Sequence, residues 1–199
     1  MRVWKLLPSL AVTLLALGCG GVNYMVRATP PQPFQAPPGQ ALIVFMRPSA
    51  YAGGNAFNLA DGQGNYLGQI DGRQYVLHAV PQGQHTFIAW GENADMVQIN
   101  AQAGLVYYAL VGVRMGMWSA RLSISALTPR RQEWPNLVQW LQISTQMAMD
   151  PGVAATYPPR ADVTQRQLYA AQQAWAAYSE EDRAARILQV SDGMGPPPI

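Results

Sequence analysis

Residues 40–129 predict a mainly β domain, an antiparallel β-sandwich of about eight short strands, followed by two α-helices. Three observations lead there. Short β-branched and aromatic runs recur along the stretch. Turn residues separate them about every 8–12 positions. Beyond Pro129 the apolar spacing changes to a helical one, and no long helical period falls between the strands, which disfavours parallel βαβ architecture.

Ala41 to Arg47 is a continuous apolar run ended by Pro48. Ala56 to Ala60 and Asn65 to Ile70 flank Asp61-Gly62-Gln63-Gly64, a hairpin signal. Gln74 to Val80 follows Asp71-Gly72, and Pro81-Gln82-Gly83 parts it from Gln84 to Trp90. Met96 to Ala101 and Leu105 to Met115 divide at Gly104. In the last run, Ser119 to Thr128, Leu122, Ile124 and Ala126 alternate with Arg121, Ser123 and Ser125, so one face is apolar and the other polar.

Residues 130–199 form a helical extension. Trp134, Leu137, Val138, Leu141, Met147 and Ala148 recur at helical spacing, with Pro135 in a first turn and Asp150-Pro151-Gly152 as the stop. A second helix starts near Asp162, capped with Gln165, and carries Leu168, Ala171, Trp175 and Tyr178 on one face. Ser179 to Asp182 offers another capping box before a continuation to about Val190, and Pro196-Pro197-Pro198 reads as a disordered end. The two helices are expected to cover one face or open edge of the sheet.

The start of the chain carries an address. Arg2 and Lys5 precede a short apolar stretch from Leu6 to Leu17, too short for the roughly 20 residues of a membrane span. Leu15-Ala16-Leu17-Gly18-Cys19 then resembles a bacterial lipobox, with Ala16 where the pattern usually has Leu. Residues 1–18 read as a lipoprotein signal peptide, cleavage falls between Gly18 and Cys19, and the Cys19 thiol takes the lipid. Gly20 stands where Asp would signal inner-membrane retention, so the outer membrane, facing the periplasm, is the expected location. Residues 19–39, with five prolines between Pro30 and Pro38, read as an extended tether reaching roughly 60 Å.

Once the leader is removed, eleven Arg face eleven Asp and Glu, so the formal charge is zero. That balance argues against a nucleic-acid partner, which requires clustered positive charge. Cys19 is the sole cysteine, so no internal disulfide is available and packing must supply stability.

No constellation assembles a reactive site. His78 and His85 lie on successive expected strands, as cross-strand neighbours, and no third metal ligand accompanies them. Asp61, Gln63 and Asn65 begin like a calcium loop, but Tyr66 and Gly72 occupy the positions that need Gly and Glu, leaving a hairpin tip. Met115-Gly116-Met117 and Met147-Ala148-Met149 lack a nearby Cys or His and read as core filling. Serine lacks a nucleophile elbow, Glu92 and Asp95 flank a turn, and Glu180-Glu181-Asp182 opens a helix. Trp90, Trp118, Trp134, Trp140 and Trp175 fit a core better than a sugar-binding strip.

The runs Phe34-Gln35-Ala36-Pro37-Pro38-Gly39-Gln40-Ala41-Leu42-Ile43-Val44-Phe45-Met46-Arg47-Pro48 and Tyr75-Val76-Leu77-His78-Ala79-Val80-Pro81-Gln82-Gly83-Gln84-His85-Thr86 resemble a bacterial lipoprotein family, domain of unknown function 2846, across roughly residues 35–128. The resemblance implies a secreted, anchored, mostly antiparallel β domain and no activity. The expectation is therefore a non-enzymatic structural or interaction module of the cell envelope, held at the membrane through its N-terminal lipid, with an envelope protein or cell-wall partner. It has no catalytic residue, metal or cofactor. The alternatives are small-ligand or glycan binding by exposed Trp residues, and an envelope hydrolase built on His78 or His85.

Overall fold

The computed structural model describes residues 22–51, 56–115 and 120–198. Among them the chain is mostly β, with two mixed sheets and four α-helices. The strands are β1 (Met25–Arg27), β2 (Gln40–Arg47), β3 (Phe57–Asp61), β4 (Tyr66–Ile70), β5 (Gln74–Pro81), β6 (Gly83–Trp90), β7 (Ala94–Ala101), β8 (Val106–Met115), β9 (Ala120–Leu127), β10 (Thr145–Met149) and β11 (Ile187–Leu188). The helices are α1 (Leu137–Ile143), α2 (Pro151–Thr156), α3 (Ala161–Ala177) and α4 (Glu180–Ala184). One sheet runs β1-β10-β5-β2-β8-β9, the other β11-β7-β6-β3-β4.

Each run expected between residues 40 and 129 forms a strand, but pairing is not antiparallel throughout. β2 runs parallel to β8, β10 to β5 and β11 to β7. Two of these pairs recruit strands from outside that stretch. The third arises because the chain visits the other sheet twice, for β3 and β4 and again for β6 and β7, returning first as the antiparallel partner β5 and then as the parallel partner β8.

One core cluster draws on both sheets, with Ile43, Phe45, Ala109 and Ile124 from the first and Leu59, Phe87, Val97 and Ile99 from the second. Phe45 and Phe87 meet edge to face at 5.0 Å. Burying each such side chain is worth about 1.5–3 kcal/mol. The unbroken apolar run of β2 is buried on both faces from Ala41 to Arg47, as a central strand requires. Each sheet therefore needs a cover on its outer face. α1 sets Leu137 and Leu141 on Leu42, Val44, Met46 and Tyr108 of the first sheet. α3 sets Leu168 and Ala171 on Ala60, Ile88, Trp90 and Met96 of the second. The helices cover opposite outer faces, not one face or edge.

Several expectations for the flanking segments are corrected. The helix expected to run to Asp150 ends at Ile143, and Thr145–Met149 is strand β10, inserted between β5 and β1. Asp150 starts a helix instead of stopping one: its carboxylate accepts from the N–H groups of Gly152 and Val153 at 2.8 and 3.2 Å, with Pro151 in the first turn of α2. α3 has Arg160 at its N-cap, and Asp162 lies inside its first turn, paired with Arg160 and Arg166. Ser179 does cap α4, accepting from Asp182 N–H at 3.1 Å, but that helix ends at Ala184.

The described part of the proline-rich segment lies along the domain. Met25 enters the inter-sheet core, Phe34 packs 5.2 Å from Tyr75, and Ala28 N–H donates to the Gln146 carbonyl at 3.0 Å. The backbone groups of β10 thereby find partners on both sides.

The C-terminal segment is fastened by a buried charge. Asp95 on β7 accepts from Met96 N–H (2.8 Å), Ile124 N–H of the other sheet (3.0 Å), Tyr178 Oη–H (3.0 Å) and Arg186 Nε–H (3.1 Å). The Arg186 guanidinium also stacks over the Tyr178 ring at 4.1 Å.

Candidate functional site

Four of the residues singled out from the sequence, Asp61, Gln63, His78 and His85, line one polar groove, where the β3–β4 hairpin, the β5–β6 corner and α3 converge. Turn chemistry positions its walls. Asp61 holds the hairpin tip, its Oδ1 accepting from the N–H groups of Gln63 (2.9 Å) and Asn65 (2.8 Å) and its Oδ2 from Asn65 Nδ2 (2.7 Å). Gly64 supplies the left-handed conformation there, with φ of +88°. The corner turns at Gly83, φ +141°, in Pro81-Gln82-Gly83.

His78 and His85 are not cross-strand neighbours. His78 pairs with Ile43 in one sheet and His85 with Ile99 in the other, because the chain changes sheet at the Pro81–Gly83 corner. Phe87 brings them together: the His78 ring meets it edge-on at 5.8 Å and the His85 ring stacks on it at 6.3 Å. His85 Nε2–H donates to the Pro81 carbonyl at 2.8 Å. A carbonyl only accepts, so Nε2 carries a proton in this contact and the second ring nitrogen, Nδ1, is the one left for another partner. Burial pulls the His78 pKa below its ordinary value; the Asp61 charge opposes that shift and the His85 charge adds to it.

The groove encloses about 480 Å³, lined by Asp61, Gln63, His78, His85, Thr86 and Gln172 among others. Imidazole, amide and hydroxyl groups give it hydrogen-bonding capacity for a small polar molecule. Acid–base work needs an imidazole oriented by a second group. Here the His85 partner is a backbone carbonyl, and the Asp61 carboxylate is committed to its own turn. Among the described residues no three His, Cys, Asp or Glu side chains gather as a metal site.

Gly18, Cys19, Met117 and Trp118 lie outside the described residues. Met147 packs against the inter-sheet core, and Met149 is exposed at the end of β10. Trp90 is 5% exposed in the layer under α3. Trp134 and Trp140 pack into the layer under α1, and Trp175 packs beside α3's cluster. The described tryptophans are thus core elements, with no strip of open rings among them. Thr86 and Gln172 were not singled out, because only the fold brings β6 and α3 together. The partnership of Asp95 with Arg186 was likewise missed: an aspartate at a turn gives no sign of its partner 91 positions on. Among the described residues no helix is long and apolar enough to cross a membrane.

No family model matches the chain, and neither the curated proteins nor the solved structures contain a match.

Proposed function

We propose that the chain is a lipid-anchored lipoprotein of the cell envelope, at the outer membrane and facing the periplasm, acting as a non-enzymatic structural or interaction module. The observation that carries this reading is the charged start, short apolar stretch and Leu17-Gly18-Cys19 ending. The two sheets fit the layers of a β-sandwich, since one apolar cluster is shared between them. The resemblance of residues 35–128 to domain of unknown function 2846 belongs to the same proposal and rests on the two runs quoted for it.

The packing of residues 22–39 sharpens the anchoring. Only three residues lead from Cys19 to Val22, and a fully extended chain of that length spans about 10 Å. An acylated Cys19 would then hold the domain against the bilayer instead of 60 Å away. Metabolic labelling with an alkyne fatty acid in the native host tests the anchor. Wild type is expected to carry the label in the membrane fraction and Cys19→Ser to lose both label and membrane association. Equal labelling of the two would overturn the reading.

A second reading, small-ligand or glycan binding, draws support from the His78–His85 groove and not from tryptophan. A pull-down of the full chain from envelope extract separates the two: a retained protein favours the interaction module, and a retained glycan favours the groove.

A further inference from the structure

A second cavity, of about 310 Å³, opens on the outer face of the first sheet where the cover provided by α1 stops. Its floor is the cross-strand pair Gly112 and Ser123, beside the pair Leu110 and Ser125. The strand pattern is unusual there. Elsewhere this face carries Leu42, Val44, Tyr108 and Leu127 under the helix, whereas here it carries a glycine and two serines. Ser123 is 7% exposed and lines the cavity, and its hydroxyl has no hydrogen-bond partner among the described residues. A Cβ built on Gly112 meets nothing within 4 Å, so the space above the floor is open.

Charge points to what fills it. One residue further along each strand's outer face, Arg114 stands directly opposite Arg121. Like charges facing each other across a sheet are destabilising. Neither arginine enters an ion pair among the described residues. Arg131 forms another wall, held rigidly: Nε and Nη2 donate to Glu133 at 3.2 and 2.8 Å, and Nη1 donates to Ser125 Oγ and the Ala126 carbonyl at 2.9 Å each. Among the described residues Glu133 is the only acid lining the cavity; its hydrogen bonds with Arg131 hold its pKa below the usual carboxylate range, and the Arg114 charge adds to that. Leu110 and Trp140 supply an apolar side.

We propose that this cavity binds a small organic anion, a carboxylate or phosphate monoester bearing an apolar group. Its oxygens lie over the Ser123 hydroxyl and against Arg114, relieving the Arg114–Arg121 repulsion, and its apolar part packs on Leu110 and Trp140. At about 310 Å³ the volume sits at the small end of ligand pockets and suits a molecule the size of benzoate.

Calorimetric titration of the full chain, purified in detergent, with phenyl phosphate, benzoate and benzyl alcohol tests this. Both anions are expected to bind saturably and the neutral alcohol not to. Arg114→Gln, a change on an exposed side chain, should weaken the anions about tenfold or more. Gly112→Leu should abolish binding while the melting temperature stays that of wild type. Absence of saturable anion binding by wild type, equal binding of benzyl alcohol, or undiminished affinity in Arg114→Gln would each overturn the assignment. The arginine variant keeps the test decisive should leucine at 112 disturb the sheet.

Discussion

The outer faces of the two sheets are covered by helices of different chemistry. On the first sheet α1 relies on Leu137 and Leu141, with Trp134 edge-on to Tyr108 at 5.8 Å. On the second, α3 brings Leu168 and Ala171, but the chain beyond it is fastened by Asp95 and Arg186, which are 1% and 4% exposed. Apolar cover depends on volume, and its loss is graded. A buried ion pair fails abruptly, because losing one member strands the charge of the other. Asp95 also bonds Ile124 in the opposite sheet, so its loss loosens the joint between sheets as well as the C-terminal segment.

The comparison is broken most directly at Asp95. Asp95→Ala should cost about 3–5 kcal/mol in urea unfolding, through the unpaired Arg186 charge. The double variant Asp95→Leu, Arg186→Met should regain part of that loss, with the N–H groups of Met96 and Ile124 left without their acceptor. No recovery would mean that the backbone bonds, not the ion pair, carry the effect. Leu141→Ala on the other cover should cost less, about 2–3 kcal/mol, because a helix lying at the surface can settle into the space. A larger loss there than at Asp95 would reverse the comparison.

A third change should act with the opposite sign. Among the described residues the Tyr108 hydroxyl, buried under α1, has no hydrogen-bond partner, and burial pushes its pKa up. Removing an unsatisfied buried polar group recovers desolvation free energy. Tyr108→Phe is therefore expected to raise stability by about 1 kcal/mol, read as a higher urea midpoint at unchanged slope. A loss of stability would show that the hydroxyl has a partner in solution.

How much of this was legible in the sequence follows the range of the interactions. The strands between residues 40 and 129 were readable because alternation and turn residues are local: Leu122, Ile124 and Ala126 do face the inter-sheet core, and Asp61 does hold a hairpin tip. Strand β10 was not, because Gln146, Met147 and Ala148 are compatible with a helix and only their pairing with Tyr75 and Val76 on one side and Val26 and Arg27 on the other makes them a strand. β1 was hidden in a proline-rich stretch, too short at three residues to leave a pattern. For the groove, the two histidines were visible but their placement on different sheets was not, since the change of sheet at Pro81–Gly83 reads locally as a hairpin turn. The polar face of β9 was visible too. That Arg121 faces Arg114 depends on register, which neither strand states alone.

The smallest expected effect lies at the groove, where neither cover seals the space between the sheets. His78 titrates lower in the folded chain because burial disfavours its charged form. In the unfolded chain its pKa is about 6.5. Between the folded value and about 6.5 the unfolded chain holds more protons, so stability rises with pH across that window. Stability should therefore be lost as pH falls through about 6.5 and stop falling, for this group, below the folded pKa. The difference in unfolding free energy between wild type and His78→Gln, followed from about pH 7.5 downward, isolates the contribution, because His85 is common to both proteins. Wild type should lose ground to the variant on acidification. A difference independent of pH would mean that the His78 ring is as well solvated in the groove as in the unfolded chain. The groove would then be open water at that point, and the hydrogen-bonding site would shrink to the His85 side.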